Sequence, residues 1–548
     1  MRERIAKAAP YLTLAAVLCL LIFLNIFCHD NWLDSDMAAE MMFSKLLAEE
    51  GHLFATSDWY YSTEFRLLYT HWIMGPLFWF VQDWHVIRAV TNLLSYGLVL
   101  CSYYFFMSPF KVKRGLVVTS SVILLLPFSE TMMTHMVMGN TYMFHVVIVF
   151  FFFGLYLRLA GAGGGWRSKT ERVSLKRLFL LLCYLALAVV CGVSGVRYLL
   201  ALQCPLVITS FLFLLRSTEF QEFRRKLLRG RIRAQMKPLW GCSSMKYLIY
   251  SLLGAVGSVA GYGLNVLYVS RKYVFQTYDV TNFIPVYQGV LWERLQNAIG
   301  SLLMLFGYIP ERSVLSLRGV VTMAAFVILA VMVYCSVKAY RGNGGQRLLV
   351  SLFLLVSFGL NMFVFVFTTS TMVPRYYITI LIFALPVLCF YLEKEELYLD
   401  RLVVGVLLSA CLLLATGKTV MSYVTVDKNE SRRPVAEFLL QNGYTFGYAT
   451  YWNANIITEL TDGGVELANV GDGRDLEYFK WSSPMKYYQN GYHKGEVFLL
   501  LTLQEADECA DAETLRQGEI RYQDDAYIVY VYESAERLLQ LAEHRNED

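Results

Sequence analysis

Three acids stand close together in HDNWLDSDMAAEMMFSKLLAEEGHLF, the stretch that begins at His29: Asp34, Asp36 and Glu40. Asp36 and Glu40 have the spacing of one helical turn and so share a helix face, while Asp34 belongs to the extended approach. Carboxylates held near one another raise one another's proton affinity unless a cation or a metal intervenes. Such a constellation suits a general base or a divalent-ion site. It also suits something simpler: Asp34, Ser35 or Asp36 can cap the helix expected from about Met37 to Glu50, where a carboxylate gains about 0.3–1 kcal/mol from the helix dipole. One cap uses one residue, which leaves the other acids to be explained.

The elements that must hold these acids follow from composition. With 56% hydrophobic and 15% aromatic residues, the chain lies outside the range of soluble domains and reads as an α-helical polytopic membrane protein. A helix needs roughly 20 mainly apolar residues to cross the hydrocarbon core, and about eleven such runs precede residue 424. The first, near Pro10 to Phe27, is long and has no small-residue cleavage site, so it reads as a retained span. Arg2, Arg4 and Lys7 before it place the N-terminus in the cytoplasm and the three acids outside.

The remaining spans are expected at about 86–107, 115–129, 141–158, 178–194, 198–215, 247–269, 319–338, 348–367, 376–392 and 402–423. On that register the cytoplasmic loops receive the basic stretches Lys111–Arg114, Trp166–Arg177, Arg224–Arg233 and Arg341–Arg347. Leu67–Val81 is apolar too, but it is only about 15 residues long and is broken by Gly75-Pro76. It is expected to lie on the surface or re-enter, as part of a first external loop over 29–85. An odd number of spans then leaves the tail outside the plasma membrane.

The net charge of +4 conceals this division, and the basic residues serve topology and anionic lipid rather than nucleic acid. Most of the eleven cysteines fall in spans, where Cys acts as a small apolar residue. Cys28 and Cys509 fall outside, and no CxxC spacing, P-loop, GxGxxG or HExxH is present.

A first span followed at once by NWLDSD, then a helix and a long external loop, resembles the GT-C superfamily of polytopic glycosyltransferases. Within it, the likeness is to bacterial relatives of protein O-mannosyltransferases and aminoarabinose transferases. PRYYITILIFALPVL (Pro374–Leu388), with Arg-Tyr entering a late span, is similar to the RYxxPxxP entry of that superfamily; Pro386 is kept, and Thr379 or a neighbour stands at the first proline position. An external α/β tail completes a resemblance that covers most of the chain. It implies a GT-C-like transmembrane domain over 1–423; from Asp427 onward the apolar runs shrink to strand length between Gly, Asn and Asp turns, so 424–548 reads as an extracytoplasmic α/β domain. The resemblance also implies a first-loop aspartate as catalytic base and a polyprenyl-phosphate sugar as donor. Where the superfamily has Asp-Glu or an Asp-x-Asp-like pair, this chain has Asp-Ser-Asp, so Asp34 and Asp36 both qualify.

On that reading an acceptor hydroxyl, deprotonated by Asp34 or Asp36, attacks the anomeric carbon with inversion while the lipid phosphate leaves. The acceptor, a protein or a cell-envelope glycan, stays open. So does a metal: carboxylates favour hard cations such as Mg2+ or Mn2+, with Asp34 and Asp36 as ligands, yet some relatives act without one. A departing phosphate needs cationic partners, because charge develops on its oxygens. The candidates are Arg197 in GVSGVRYLL, Arg375 with Tyr376, Arg271 with Lys272, and Arg312. A guanidinium at such a place can also simply snorkel to headgroups.

Further contacts to substrate are expected from Glu40 and from Ser57–Arg66, where Trp59, Tyr60 and Tyr61 meet Glu64 and Arg66. That mixture suits stacking on a sugar ring or an aromatic belt at the membrane interface. His135, Asn140, Tyr142 and His145 lie at an outer edge, where a histidine serves as ligand or as packing residue. The external segment 270–318 contains Leu291, Leu295, Ala298 and Leu302 at helical spacing, an amphipathic helix suited to a lid.

In the tail, PVAEFLLQNG, WNANIITEL and SAERLLQLAEH read as helices, and YTFGYAT, VELANV, EVFLLLTL and AYIVYVYE as strands. Trp452, Asn453 and Asn455 at a strand-to-helix junction bind glycan or serve packing and capping. Two rival classes remain. A lipid-sugar flippase or transporter would carry ionisable groups or broken helices near the midplane, where this chain has Gln203, Asn265 and Asn361. A glycan polymerase or ligase would have its main catalytic loop late, as the segment 271–318 allows.

Overall fold

A computed structural model of the chain describes residues 2–139, 142–161, 175–228, 242–276 and 281–542. Asn140 and parts of the basic stretches Trp166–Arg177 and Arg224–Arg233 lie outside the described residues. Among the described residues, eight helices are long and apolar enough to cross a membrane: Lys7–Phe27, Trp84–Phe110, Tyr142–Gly161, Leu175–Val193, Ser243–Lys272, Arg318–Gly342, Gly345–Phe367 and Tyr398–Thr425. Three bent pairs pass the same test together, which brings the number to 11 when each is one span. The chain is a multi-pass membrane protein, and its spans fall close to the expected runs.

The bends have local causes. Arg114–Leu125 and Glu130–Val137 meet at 96°. Between them Pro127 forces Leu126 into extended backbone (φ −72°, ψ 129°), and Ser129 caps the next turn by accepting from Met132 N at 3.1 Å. Pro374–Leu381 and Ala384–Lys394 meet at 42°, just before Pro386, which has no N–H to give the carbonyl four residues back. The apolar stretch Leu67–Val81 forms only the 7-residue helix His71–Leu77, far too short to span.

Contacts divide the chain into two compact units. One comprises Met1–Leu21, Ser95–Leu267 and Asp279–Met421; the other comprises Ile22–Leu94, Tyr268–Tyr278 and Ser422–Asp548. The expected boundary at 424 rests on composition, whereas the contacts group 422–548 with two earlier segments.

The first unit is a helical bundle around Tyr142–Gly161, whose apolar window is 89% buried. Phe106, Phe150, Phe153, Phe353 and Phe383 interlock there with ring centroids 4.7–5.6 Å apart. Leu175–Val193 and the helix Ser243–Leu264 approach so closely that a Cβ on Gly192 would lie 1.9 Å from the Ser258 carbonyl oxygen. Small residues permit such contact, the usual basis of helix packing in lipid. The helix Leu291–Leu305 forms as its periodicity requires, and it buries Ala298 and Leu302.

The second unit contains helix α1's last residues (α1, Arg2–Phe27), helices α2 (Ser35–Glu49) and α3 (His71–Leu77), and the start of α4 (Trp84–Met107). Its strands are β1 (Trp59–Tyr61), β2 (Val274–Phe275), β3 (Phe446–Thr450), β4 (Glu466–Val470), β5 (Ser483–Pro484), β6 (Val497–Thr502), β7 (Glu519–Gln523) and β8 (Tyr527–Tyr532). They form a small sheet, β2-β1-β5, and a five-stranded sheet, β4-β3-β6-β8-β7. β3 runs parallel to β4 and β6, while β8 is antiparallel to β6 and β7. Helices Arg432–Gln441 and Tyr451–Leu460 cover the larger sheet, joining Leu439, Ile457, Leu467, Phe498 and Val529 in one core.

Candidate functional site

Within the second unit each of the three acids has its own partner. Asp34 is the cap of α2: its backbone is extended (φ −116°, ψ 166°) and Oδ1 accepts from Met37 N at 2.8 Å. Asp36, half-buried in the first turn, accepts a hydrogen bond at Oδ1 from the Tyr451 hydroxyl at 2.7 Å. Glu40 is buried and accepts from Arg66 Nη1 at 3.0 Å and from the Tyr69 hydroxyl. Burial pushes the Glu40 carboxyl up to about 7, against the pull of Arg66 and Tyr69. Among the described residues no group of three or more His, Cys, Asp or Glu is gathered as for a metal ion.

The approach to α2 is held by the C-terminal segment of the same unit. Trp32 stacks on Tyr423 with centroids 3.8 Å apart, and Lys428 Nζ lies 3.8 Å from the Trp32 ring centre. Asn429 Nδ2 donates to the carbonyls of Asp30 (2.7 Å) and Leu33 (3.1 Å), and Lys428 N donates to that of Asn31 (2.8 Å). Below α2, Arg88 makes a bidentate pair with Glu459, Nε to Oε1 at 2.7 Å and Nη2 to Oε2 at 2.6 Å. The same Nη2 donates to the Met37 carbonyl at 2.9 Å. Burial pushes Glu459 up to about 7, opposed by Arg88. At the end of α1, burial acts to raise Asp30, yet hydrogen bonds from His29 and His85 outweigh it and hold the carboxyl well below the usual range.

The aromatic candidates divide by burial. Trp59 and Tyr61 are buried on β1, where Phe43, Phe65, Tyr273 and Phe275 surround them. Tyr60 and Glu64 are half-buried, and Tyr60 meets Tyr488 edge-on. Arg66 is the partner of Glu40. Arg271 and Lys272 are exposed, with Lys272 Nζ 5.2 Å from the Tyr273 ring centre. At the start of helix Tyr451–Leu460, Trp452 is 68% exposed, while Asn453 and Asn455 are buried. Asn453 accepts from Arg432 and the Tyr527 hydroxyl, which is packing rather than ligand geometry.

Within the first unit, the remaining candidates assemble around rings. Gly195, with φ +111°, turns the chain between two helices in a conformation that L side chains avoid, and Arg197 follows it. Arg197 Nη1 donates to the Tyr142 hydroxyl and to His145 Nε2, both at 3.2 Å. His145 therefore accepts at Nε2 and carries its proton on Nδ1, which faces the Tyr198 hydroxyl. The Arg197 guanidinium lies 5.7 Å, and that of Arg375 6.0 Å, from the centre of the Tyr376 ring. His135 is buried in the turn Met133–Val137 with its ring edge-on to Tyr142. Arg197, Arg375, Tyr376 and His135 thus form one neighbourhood.

Sequence reading missed Tyr451, Arg88, Glu459 and the pair Asp30 and His85. The available signals were thin: a lone arginine near the start of an apolar run, and a lone glutamate in an otherwise apolar helix. Nothing in spacing couples residue 36 to residue 451.

No protein-family model matches the chain, and no curated protein matches it in sequence. Among solved structures, ArnT from Cupriavidus metallidurans in the apo state is similar, with TM-score 0.52 and 12% identity over 98% of this chain and 99% of that one. The same protein bound to undecaprenyl phosphate gives TM-score 0.50 at 13% identity, again over 98% and 99%. An Archaeoglobus fulgidus oligosaccharyltransferase tethered with an acceptor peptide gives 0.47 at 11% identity, over 98% of this chain and 75% of that one, too low to bear weight. The likeness is one of fold: along nearly its whole length the chain has a fold similar to that of ArnT.

Proposed function

We propose that this membrane protein is a glycosyltransferase moving a sugar from a polyprenyl-phosphate-linked donor to an acceptor hydroxyl on the extracytoplasmic face, with inversion and with Asp36 as general base. The observation that carries the reading is the likeness in fold to ArnT along nearly the whole chain. That ArnT was obtained bound to undecaprenyl phosphate supports the donor class. The basic stretches Lys111–Arg114 and Arg341–Arg347 support a cytoplasmic N-terminus and an external tail.

Of the two aspartates, Asp34 spends one carboxylate oxygen on capping α2, a role that any capping side chain fills. Asp36 is half-buried and oriented by one hydrogen bond, the state expected of a base that must meet a substrate proton in one direction. In the reaction the acceptor O–H bond breaks and its proton passes to Asp36. The oxygen forms a bond to the anomeric carbon, and the carbon–oxygen bond to the lipid phosphate breaks with its electron pair going to the phosphate. The charge that collects there calls for guanidinium donors, and Arg197 and Arg375 around Tyr376 have that chemistry. The acceptor class, protein or cell-envelope glycan, is part of the same proposal.

Transfer from a panel of radiolabelled polyprenyl-phosphate sugars in reconstituted membranes tests it. Asp36→Asn is expected to lower transfer by about 1000-fold or more, as removal of a general base does. Asp34→Asn keeps a capping side chain and is expected to stay within about tenfold of wild type. Unchanged transfer by Asp36→Asn at equal folded protein would remove Asp36 from the mechanism, and no transfer from any donor would remove the activity itself.

A further inference from the structure

Tyr451 stands 415 positions along the chain from Asp36, yet its hydroxyl donates to that carboxylate at 2.7 Å. The ring is buried, with Trp452 edge-on at 5.2 Å and Phe479 tilted at 5.7 Å, so the hydroxyl has a fixed direction. Tyr451 opens the helix Tyr451–Leu460, which packs along α2. Near its other end the same helix carries Glu459, which Arg88 clamps while also holding the Met37 carbonyl beside Asp36. The helix with the tyrosine and the helix with the aspartate are thus tied together at Asp36 and, through Arg88, at Met37.

A phenol so placed can only donate. Burial, and after it the negative charges of Asp36 and Asp34, push Tyr451 far above the usual tyrosine range, so the proton stays on its oxygen. Donating to Oδ1 fixes the carboxylate plane while leaving Oδ2 for the acceptor hydroxyl. We infer that Tyr451, supplied by the C-terminal segment, is the positioning residue of Asp36 in the transfer reaction. The inference rests on the proposed reading of Asp36 as base, and it makes the tail part of the catalytic machinery rather than an appended module.

The test is steady-state transfer in reconstituted membranes, with the donor that wild type uses, comparing wild type, Tyr451→Phe, Asp36→Asn and a protein with p-aminophenylalanine at 451. Phenylalanine keeps the ring contacts and removes only the donor; the amino analogue restores an N–H donor at the same place. The inference expects Tyr451→Phe to lose tenfold or more in kcat, about what a hydrogen bond to a charged group supplies, with KM for donor and acceptor and the unfolding midpoint close to wild type. It expects the amino analogue to recover most of that loss. Wild-type kcat in Tyr451→Phe alongside an inactive Asp36→Asn overturns the positioning role and leaves the base intact. Loss of fold, or of KM and unfolding midpoint together with kcat, overturns it as well by making Tyr451 a packing residue. Absence of transfer by wild type from every donor overturns the reading of the site and the inference with it.

Discussion

Asp36 and Glu40 lie one turn apart on α2, yet they meet different surroundings. Asp36 keeps a half-buried carboxylate, whereas Glu40 is enclosed by Arg66, Tyr69 and Thr70. Burial outweighs the cation, so Glu40 is raised from its ordinary 4.5 to about 7. A glutamate that binds its proton more tightly folded than unfolded adds stability that is complete below about pH 4.5 and is lost as pH rises through about 7. Glu459 has the same sign. The unfolding midpoint of the detergent-solubilised protein is therefore expected to fall between pH 5 and pH 8. Glu40→Gln, which mimics the protonated form, should flatten that slope, each such group contributing up to about 3 kcal/mol. An unaltered slope in Glu40→Gln would assign the pH dependence elsewhere. The sequence put Asp36 and Glu40 on one helix face and narrowed the cap to Asp34, Ser35 or Asp36, because capping depends on neighbours within three residues. It could not distribute their partners, since Arg66, Tyr69 and Tyr451 arrive through tertiary packing.

At the scale of elements, what was legible depended on whether the cause is local. Apolar length and flanking Lys and Arg define the spans, whereas the break at Pro127 and Ser129 in the run expected over 115–129 was not read. β3, β6 and β8 were readable because both faces are buried and the residues are apolar. β7 was not: EIRYQ is largely exposed and pairs only with β8, so no pattern of burial is written in it. β1 and β5, three and two residues long, exist only through partners far away in sequence. The Arg88–Glu459 pair illustrates the energetic side. Breaking a buried bidentate pair leaves a charge without compensation and typically costs about 3–5 kcal/mol, while replacing both partners with apolar residues recovers much of it. Arg88→Met is expected to lower the unfolding midpoint markedly, and Arg88→Met with Glu459→Leu to restore most of the loss. Equal destabilisation by the single and the double variant would show that the pair itself contributes little.

At the scale of the molecule, composition divides the chain near residue 424, but contacts assemble one unit from Ile22–Leu94, Tyr268–Tyr278 and Ser422–Asp548. Hydropathy reports which segments sit in lipid; it is silent on which of the remaining segments fold onto one another. The hydrogen bonds that hold Asn31, Leu33 and Asp36 come from Lys428, Asn429, Arg433 and Tyr451. An approach loop without these partners exposes backbone groups to water and regains conformational freedom, at about 1–2 kcal/mol of entropy per residue. A chain ending at residue 426 keeps the whole of Tyr398–Thr425 and should still insert. Its residues 28–60 are then expected to become cleavable by protease added to the outside of intact cells, a site protected in the full chain, and its transfer activity to fall by more than about 100-fold, since an unplaced base forfeits orientation. Cleavage only after the membrane is opened would reverse the proposed orientation, and a protected, active truncated chain would show that α2 holds Asp36 without the tail.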